Sequence, residues 1–327
     1  MPRVLRRRSR RDPLKFLFTN QFTGLIMAQT RIVTLDLNFQ GRPHAIAAYL
    51  IRDADSVVLI ESGPGSTLPS LTAGLAAEGL STRDVTHVLL THIHLDHAGA
   101  AGWLANQGAE IYVHPVGAPH MLNPEKLLAS ATRIYGDRMD SLWGEFLPVP
   151  ENKLHAAKDG EAVKIGNMEF IPHNTPGHAE HHFAYQFEDI IFCGDVGGVR
   201  IPGYQYLRVP MPPPELHIER WKESLVKLRA LKPARLAPTH FGVYDDPDWQ
   251  LREVEKGLDS AERWLEKVMV KEPSIEELRE SFTHWIFEEG KSVGLSDEAV
   301  KAYELANPLG MSADGLLRYW KKVRGGV

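Results

Sequence analysis

Thr91-His92-Ile93-His94-Leu95-Asp96-His97-Ala98-Gly99 places four side chains that bind divalent metals within six residues, directly after an apolar run at residues 88–90. That run reads as a buried strand. An extended segment sends alternate side chains the same way, so His92 and His94 are expected to share a face where the strand ends. Asp96 and His97 are expected in the following turn. Two histidines on one face can chelate one ion while the aspartate and third histidine reach another. Neutral imidazole and carboxylate oxygen suit Zn²⁺, Mn²⁺ or Fe²⁺. A lone histidine is usually a satisfied polar residue, but four ligands at one strand end are too dense for that account.

The motif resembles the His-x-His-x-Asp-His hallmark of the metallo-β-lactamase superfamily, and the resemblance continues in order through Gly177-His178, Gly194-Asp195 and Thr239-His240. It spans residues 32–242. What the resemblance implies is an α/β fold of the αββα sandwich type and two divalent ions, zinc foremost, with manganese or iron as alternatives. It implies that His92, His94 and His178 hold one ion, that Asp96, His97 and His240 hold the other, and that Asp195 bridges them. The implied reaction is attack on an ester-type carbonyl by a hydroxide shared between the ions. Asp96 is then also catalytic, orienting the nucleophile or passing its proton to the leaving group. A carboxylate commonly occupies the turn where this chain has Glu61, followed by Ser62-Gly63-Pro64-Gly65.

Within the superfamily, His97 stands where some zinc β-lactamases have arginine. Others with histidine there lack the bridging aspartate that Asp195 supplies. Flavodiiron oxidoreductases carry glutamate at the position of His94, and no arginine signature of the persulfide dioxygenases follows Asp195. Glyoxalase II-like thioesterases and lactonases share all seven ligands. The expected activity is therefore hydrolysis of a small ester, thioester or lactone. A nuclease or β-lactamase of the same fold, or a non-catalytic metal-binding protein, is the alternative.

Charge supports a small-molecule substrate. The first twelve residues hold six arginines and one aspartate, a local +5, which leaves −10 for the rest of a chain whose total is −5. An acidic body lacks the basic surface that displaces phosphate counterions, so no nucleic-acid partner is expected. Leu14, Phe16, Leu17 and Phe18 are too few for a membrane span. The single Cys193 cannot form an internal disulfide and suits a reducing, cytoplasmic compartment.

Three regions are expected: residues 1–27 as a basic, disordered extension, read as a tail or as sequence upstream of a start at Met27, with a targeting peptide as the alternative; residues 28–245 as the catalytic domain; and residues 246–327 as a helical region that packs over the cleft or pairs two copies into a homodimer. Strands are read at residues 31–37, 45–51, 57–60, 110–113, 162–165, 168–171, 182–187 and 190–193, and helices at 68–78, 99–107 and 215–231. Beyond residue 246, four helical stretches follow, with Ser274 and Glu277 in capping-box spacing. The segment at 115–158 holds Met121, Leu122, Ile134, Tyr135, Trp143 and Phe146 among turn formers. The resemblance implies that this insertion walls the site, which makes Met121, Trp143 and Phe146 candidate substrate contacts. Tyr204 and Tyr206, in a Gly/Pro-rich loop after Asp195, are further candidates. His181 and His182 are candidates for outer-shell or substrate contact, Ser62 and Thr91 for supporting the ligands, and Cys193 for the core.

Overall fold

The computed structural model describes residues 31–325; the basic extension at 1–27 lies outside them. A first sheet takes its six strands in chain order: β1 (Ile32–Asp36), β2 (Ala47–Arg52), β3 (Val57–Ile60), β4 (His87–Leu89), β5 (Glu110–Val113) and β6 (Leu154–Ala156). The first three run antiparallel; β3 through β6 are parallel. Parallel neighbours need crossovers. Helices supply them: α1 (Leu68–Ala77) after β3, α2 (Leu95–Ala98) and α3 (Ala101–Asn106) after β4, and α4 (Ala118–Leu122), α5 (Glu125–Tyr135) and α6 (Met139–Trp143) after β5.

The second sheet is ordered β11-β10-β9-β8-β7. Its strands β7 (Val163–Ile165), β8 (Met168–Asn174), β9 (Phe183–Phe187) and β10 (Ile190–Phe192) are antiparallel, whereas β11 (Arg235–Ala237), reached through α7 (Ile218–Ala230), lies parallel to β10.

Strands β2 and β3 read as continuous apolar runs because both faces are covered. Tyr49, Ile51 and Val58 pack against Phe183, Tyr185 and Phe192 of the second sheet. Their neighbours Leu50 and Leu59 turn the other way, into a core shared with Leu71 and Leu75 of α1. On the far side, Ile191 packs with Trp221 and Leu225 of α7. The result is helices, sheet, sheet, helices: the αββα sandwich. The C-terminal helices α8 (Pro247–Met269), α9 (Ile275–Ser292), α10 (Asp297–Ala306) and α11 (Leu309–Lys322) follow. Leu251 and Leu258 of α8 and Leu316 of α11 join the core around α7. The capping box forms: the Ser274 hydroxyl accepts from the Glu277 amide at 3.2 Å, and the Glu277 carboxylate accepts from the Ser274 amide at 2.8 Å.

Two local expectations change. Strand β4 stops at Leu89, one residue before the expected end, and the turn that carries Asp96 and His97 is the single helical turn α2. The segment at 115–158 contributes strand β6, whose three residues are too few to show a period. No described helix is long and apolar enough to cross a membrane.

Candidate metal centre

The seven expected ligands arrive from four separate stretches, three of which directly follow β4, β10 and β11. Carboxyl ends of strands are where α/β folds place ligands. Glycines make two of these approaches feasible. Gly177, at φ +137°, lies against α7 so closely that a Cβ would come 2.4 Å from the Trp221 Cα, and this delivers His178. Gly194, at φ +49°, leaves no room for a Cβ, which would lie 2.6 Å from His182 Nε2 and from the Thr91 hydroxyl; it delivers Asp195.

Two trios result. His94 Nδ1 lies 2.9 Å from His92 Nε2 and 3.0 Å from His178 Nε2. Nitrogens around a tetrahedral Zn²⁺ at 2.0–2.1 Å stand roughly 3.3 Å apart, so this trio needs little adjustment. In the other, Asp96 Oδ2 lies 3.5 Å from His97 Nε2 and 3.4 Å from His240 Nε2. Asp195 faces both: Oδ2 is 3.2 Å from His178 Nε2, and Oδ1 is 3.2 Å from His97 Nε2 and 3.4 Å from His240 Nε2.

The outer hydrogen bonds decide which atoms point inward as lone pairs. His178 Nδ1 donates to the Pro210 carbonyl at 3.0 Å, and His240 Nδ1 donates to that of Ala45 at 2.6 Å. His97 Nδ1 donates to Glu61 at 3.0 Å. The Thr91 hydroxyl donates to Glu61 and so accepts from His92 Nδ1 at 3.1 Å. Each of these rings, protonated at Nδ1, presents Nε2 as a lone pair. Lone pairs and carboxylate oxygens cannot satisfy one another, and both His97 Nε2 and Asp195 Oδ1 are buried without a hydrogen-bond partner. A cation resolves that conflict, and the donor set fits a divalent ion in each trio.

Protonation agrees. Burial holds His92, His94 and His178 below the ordinary imidazole range, His94 at about 3, so they remain neutral. Burial alone would raise Asp195 and Asp96, but the surrounding His97 and His240 outweigh it and keep both carboxyls well below their usual range. Burial likewise opposes charge on His97 and His240, whose carboxylate neighbours carry them upward instead. Without an ion, protons on these two rings answer the carboxylates; an ion in this trio takes their place, so binding there releases protons and weakens as pH falls.

Glu61 ties the centre together. One oxygen takes His97 Nδ1, the Thr91 hydroxyl and, at 3.0 Å, the Thr239 hydroxyl; the other takes the Thr91 amide at 3.3 Å. It is fully buried.

The family model of the metallo-beta-lactamase superfamily matches residues 41–240, more than half of the chain. The chain belongs to the metallo-beta-lactamase superfamily. Among curated members, the metallo-beta-lactamase fold-containing protein ST1585 of Sulfurisphaera tokodaii is 25% identical over 62% of this chain and 74% of its own. An atrochrysone carboxyl ACP thioesterase of Aspergillus fumigatus is 27% identical over 68% of this chain and 58% of its own. A hydroxyacylglutathione hydrolase of Xylella fastidiosa is 31% identical over 40% and 38%. The chain therefore spans about half the length of these last two. Among solved members, a metallo-beta-lactamase family protein of Thermus thermophilus, TTHA1429, superposes with a TM-score of 0.63 at 20% identity, over 91% of this chain and 94% of that one, a likeness of fold.

In this superfamily member, His94, Asp96, His178, Asp195 and His240 line one end of a cavity of about 260 Å³. Of the five expected substrate contacts, Trp143 lines it and four do not. Met121 is fully buried between the first sheet and its helices, and Phe146 packs in the same core. The loop after Asp195 folds back on itself through a bridge between Val199 and Arg208 and leans on α10. This takes Tyr206 onto Tyr303 at 5.1 Å between ring centroids, and Tyr204 to the Ser296 hydroxyl at 3.0 Å. The insertion does wall the cavity, through Ile134, Tyr135 and Trp143. Leu127, Ala131, Ile134 and Tyr135 recur at helical spacing along α5, a pattern that marks one face.

His181 lines the cavity, accepting from the Ile93 amide at Nδ1 over 3.4 Å, whereas His182 is buried behind, its Nδ1 2.9 Å from the Thr175 hydroxyl. Ser62 ties its hydroxyl to the His97 carbonyl at 2.8 Å. Burial pushes the Cys193 thiol up to about 12, so it is a core residue.

Proposed function

We propose that the chain is a hydrolase of a small ester, thioester or lactone, working with two divalent cations, zinc foremost. One is assigned to His92, His94 and His178, the other to Asp96, His97 and His240, with Asp195 shared. The observation that carries this reading is the pair of inward-facing trios joined by one carboxylate at the end of a mainly apolar cavity. When bound, such cations acidify water from a pKa of about 15.7 to near 7 and polarise a carbonyl oxygen.

The protein's own residues do the rest. Glu61 and the carbonyls of Pro210 and Ala45 fix three of the histidine rings, so positioning needs no reorganisation at the moment of reaction. Asp195 sets the separation of the trios. The Asp96 side chain is 20% exposed where that of Asp195 is 5%, so Asp96 is the carboxylate that orients the attacking water from the cavity side. The apolar wall admits an acyl group and excludes competing water. Two relatives named as a thioesterase and a hydroxyacylglutathione hydrolase support the same bond class. A free small molecule in a reducing cytoplasm is the setting that suits an acidic body with one buried cysteine.

Metal analysis combined with a substrate panel tests the reading. p-Nitrophenyl acetate, S-lactoylglutathione, an acyl homoserine lactone, nitrocefin and a short RNA are each assayed with and without chelator. Chelator-sensitive turnover of the first three classes is expected. Turnover of nitrocefin or RNA alone replaces the reading with a β-lactamase or nuclease, and metal bound without turnover of any replaces it with a binding protein.

A further inference from the structure

The cavity has a metal-facing end and an apolar remainder, and the two sides of that remainder come from elements far apart in the sequence. Leu127, Ala131, Ile134 and Tyr135 form one side, along a single face of α5. Leu305, Pro308 and Met311 form the other, at the junction of α10 and α11. The sides touch: the Tyr135 hydroxyl lies 3.0 Å from the Met311 sulfur, and Leu305 packs against the core of the first sheet. Pro212, Pro213 and Pro214 add a segment whose ring nitrogens offer no N–H.

Polar groups along this remainder are few: Ser130 on α5, and Asn307 and Ser312 at the junction, which hydrogen-bond one another at 3.0 Å. Outside the metal-facing set, Lys126 and Glu215 are the lining residues with a full charge. Lys126 is exposed and Glu215 is one-third exposed, so both head groups reach solvent. Ile134, by contrast, is a large apolar side chain left 41% exposed beside the cavity. An apolar surface of this kind, continuous with a reactive centre, is surface waiting for a ligand.

We infer that the cavity holds an unbranched apolar acyl arm of the substrate between α5 and the α10–α11 junction, so that the C-terminal helices set the acyl length the enzyme accepts. This rests on the hydrolase reading above. The arm is the acyl side because of size. At about 260 Å³ the cavity falls below the roughly 300–1,000 Å³ of pockets for drug-sized ligands, too small for a bulky polar alcohol or thiol carrier. The carrier remains at the polar lip while its acyl group is enclosed, and after cleavage it departs directly to solvent.

The test is a series of p-nitrophenyl alkanoates from acetate to dodecanoate with the metal-loaded full chain, beside calorimetric titration of the metal-free chain with the matching alkanoates. Each methylene enclosed raises kcat/KM about fourfold, from roughly 0.8 kcal/mol per buried CH₂, until the cavity is full and the trend reverses. Alkanoate affinity rises over the same lengths, with a negative heat-capacity change. Two variants move the limit in opposite directions: Ala131→Phe shortens the longest accepted chain, and Met311→Ala, at a partly exposed position where truncation spares the core, lengthens it. Chelator-sensitive hydrolysis that is flat with chain length, or a limit that neither variant moves, overturns the inference and leaves the hydrolase reading standing. If no ester in the series is hydrolysed, the hydrolase reading falls; alkanoate binding that still grows with length then preserves the apolar-arm site, and its absence overturns both.

Discussion

Replacing Glu61 by Gln tests whether the outer hydrogen bonds hold the centre in its binding form. The carboxylate accepts four bonds, from the Thr91 amide and hydroxyl, His97 Nδ1 and the Thr239 hydroxyl. An amide has one oxygen. Turned to keep the three donors that share Oε1, it sets its own NH₂ against the Thr91 amide, 3.3 Å from the other oxygen. A buried N–H is thereby stranded, at a cost of about 1–3 kcal/mol, and the remaining bonds lose their charge assistance. Backbone strain at Glu61, whose φ is +68°, is the same for both residues and drops out of the comparison. For metal binding, loss of the partner that orients a ligand histidine weakens affinity by about 10- to 100-fold. The loss falls mainly on the ion held by His97, since His92 feels Glu61 only through Thr91. Competition with a chromogenic chelator reads the two affinities separately, and thermal unfolding of the metal-free protein reads the stability, expected to fall by a few degrees. Two tight, unchanged affinities with an unchanged melting temperature would refute the reasoning. A drop in stability with both affinities intact would reduce Glu61 to a packing role.

Asp96→Ala is expected to lose turnover together with one metal equivalent, measured by elemental analysis on the folded variant; unchanged content and turnover remove the assignment. Gly177→Ala places a methyl 2.4 Å from the Trp221 Cα at φ +137°, so it displaces His178 and destabilises the fold by at least the roughly 1–3 kcal/mol of a strained residue. Unchanged stability and metal content would show that the close approach is not needed. Histidines outside the centre add to the acid sensitivity that buried His92, His94 and His178 give the metal-free protein. Burial holds His87, His114 and His173 below their ordinary 6.5, so in the unfolded chain each takes up its proton at a higher pH than in the folded one. Below about 6.5 the unfolded state therefore binds more protons, and stability falls as pH drops toward 5. Substituting His114 by Gln, which cannot titrate, is expected to flatten that slope in denaturant titrations at stepped pH, and an unchanged slope would count against it.

That the candidate ligands converge was legible in the sequence because their chemistry is local and dense. His92, His94, Asp96 and His97 announce themselves within six residues, and each remaining ligand follows a residue with a steric or bonding reason to be there: Gly177 and Gly194 against close neighbours, Thr239 as a donor to Glu61. The fold was legible where burial imposes a pattern, as in β2 and β3, and was not in β6, where three residues carry none. The substrate wall was only partly legible. Aromatic content in the insertion pointed to the right segment, but composition does not say which side of α5 faces the centre, and Met121 and Phe146 serve the core instead. Tyr204 and Tyr206 were misplaced because nearness to Asp195 along the chain is undone by the bridge from Val199 to Arg208. Met311 shows the deeper reason. It meets Tyr135 across 176 positions of sequence, and no local pattern in either helix encodes that meeting. It is decided by how α8 and α11 pack onto α7, a sum of many small apolar contacts. Ligand sets can thus be read from spacing, whereas the shape of the space beside them depends on tertiary packing.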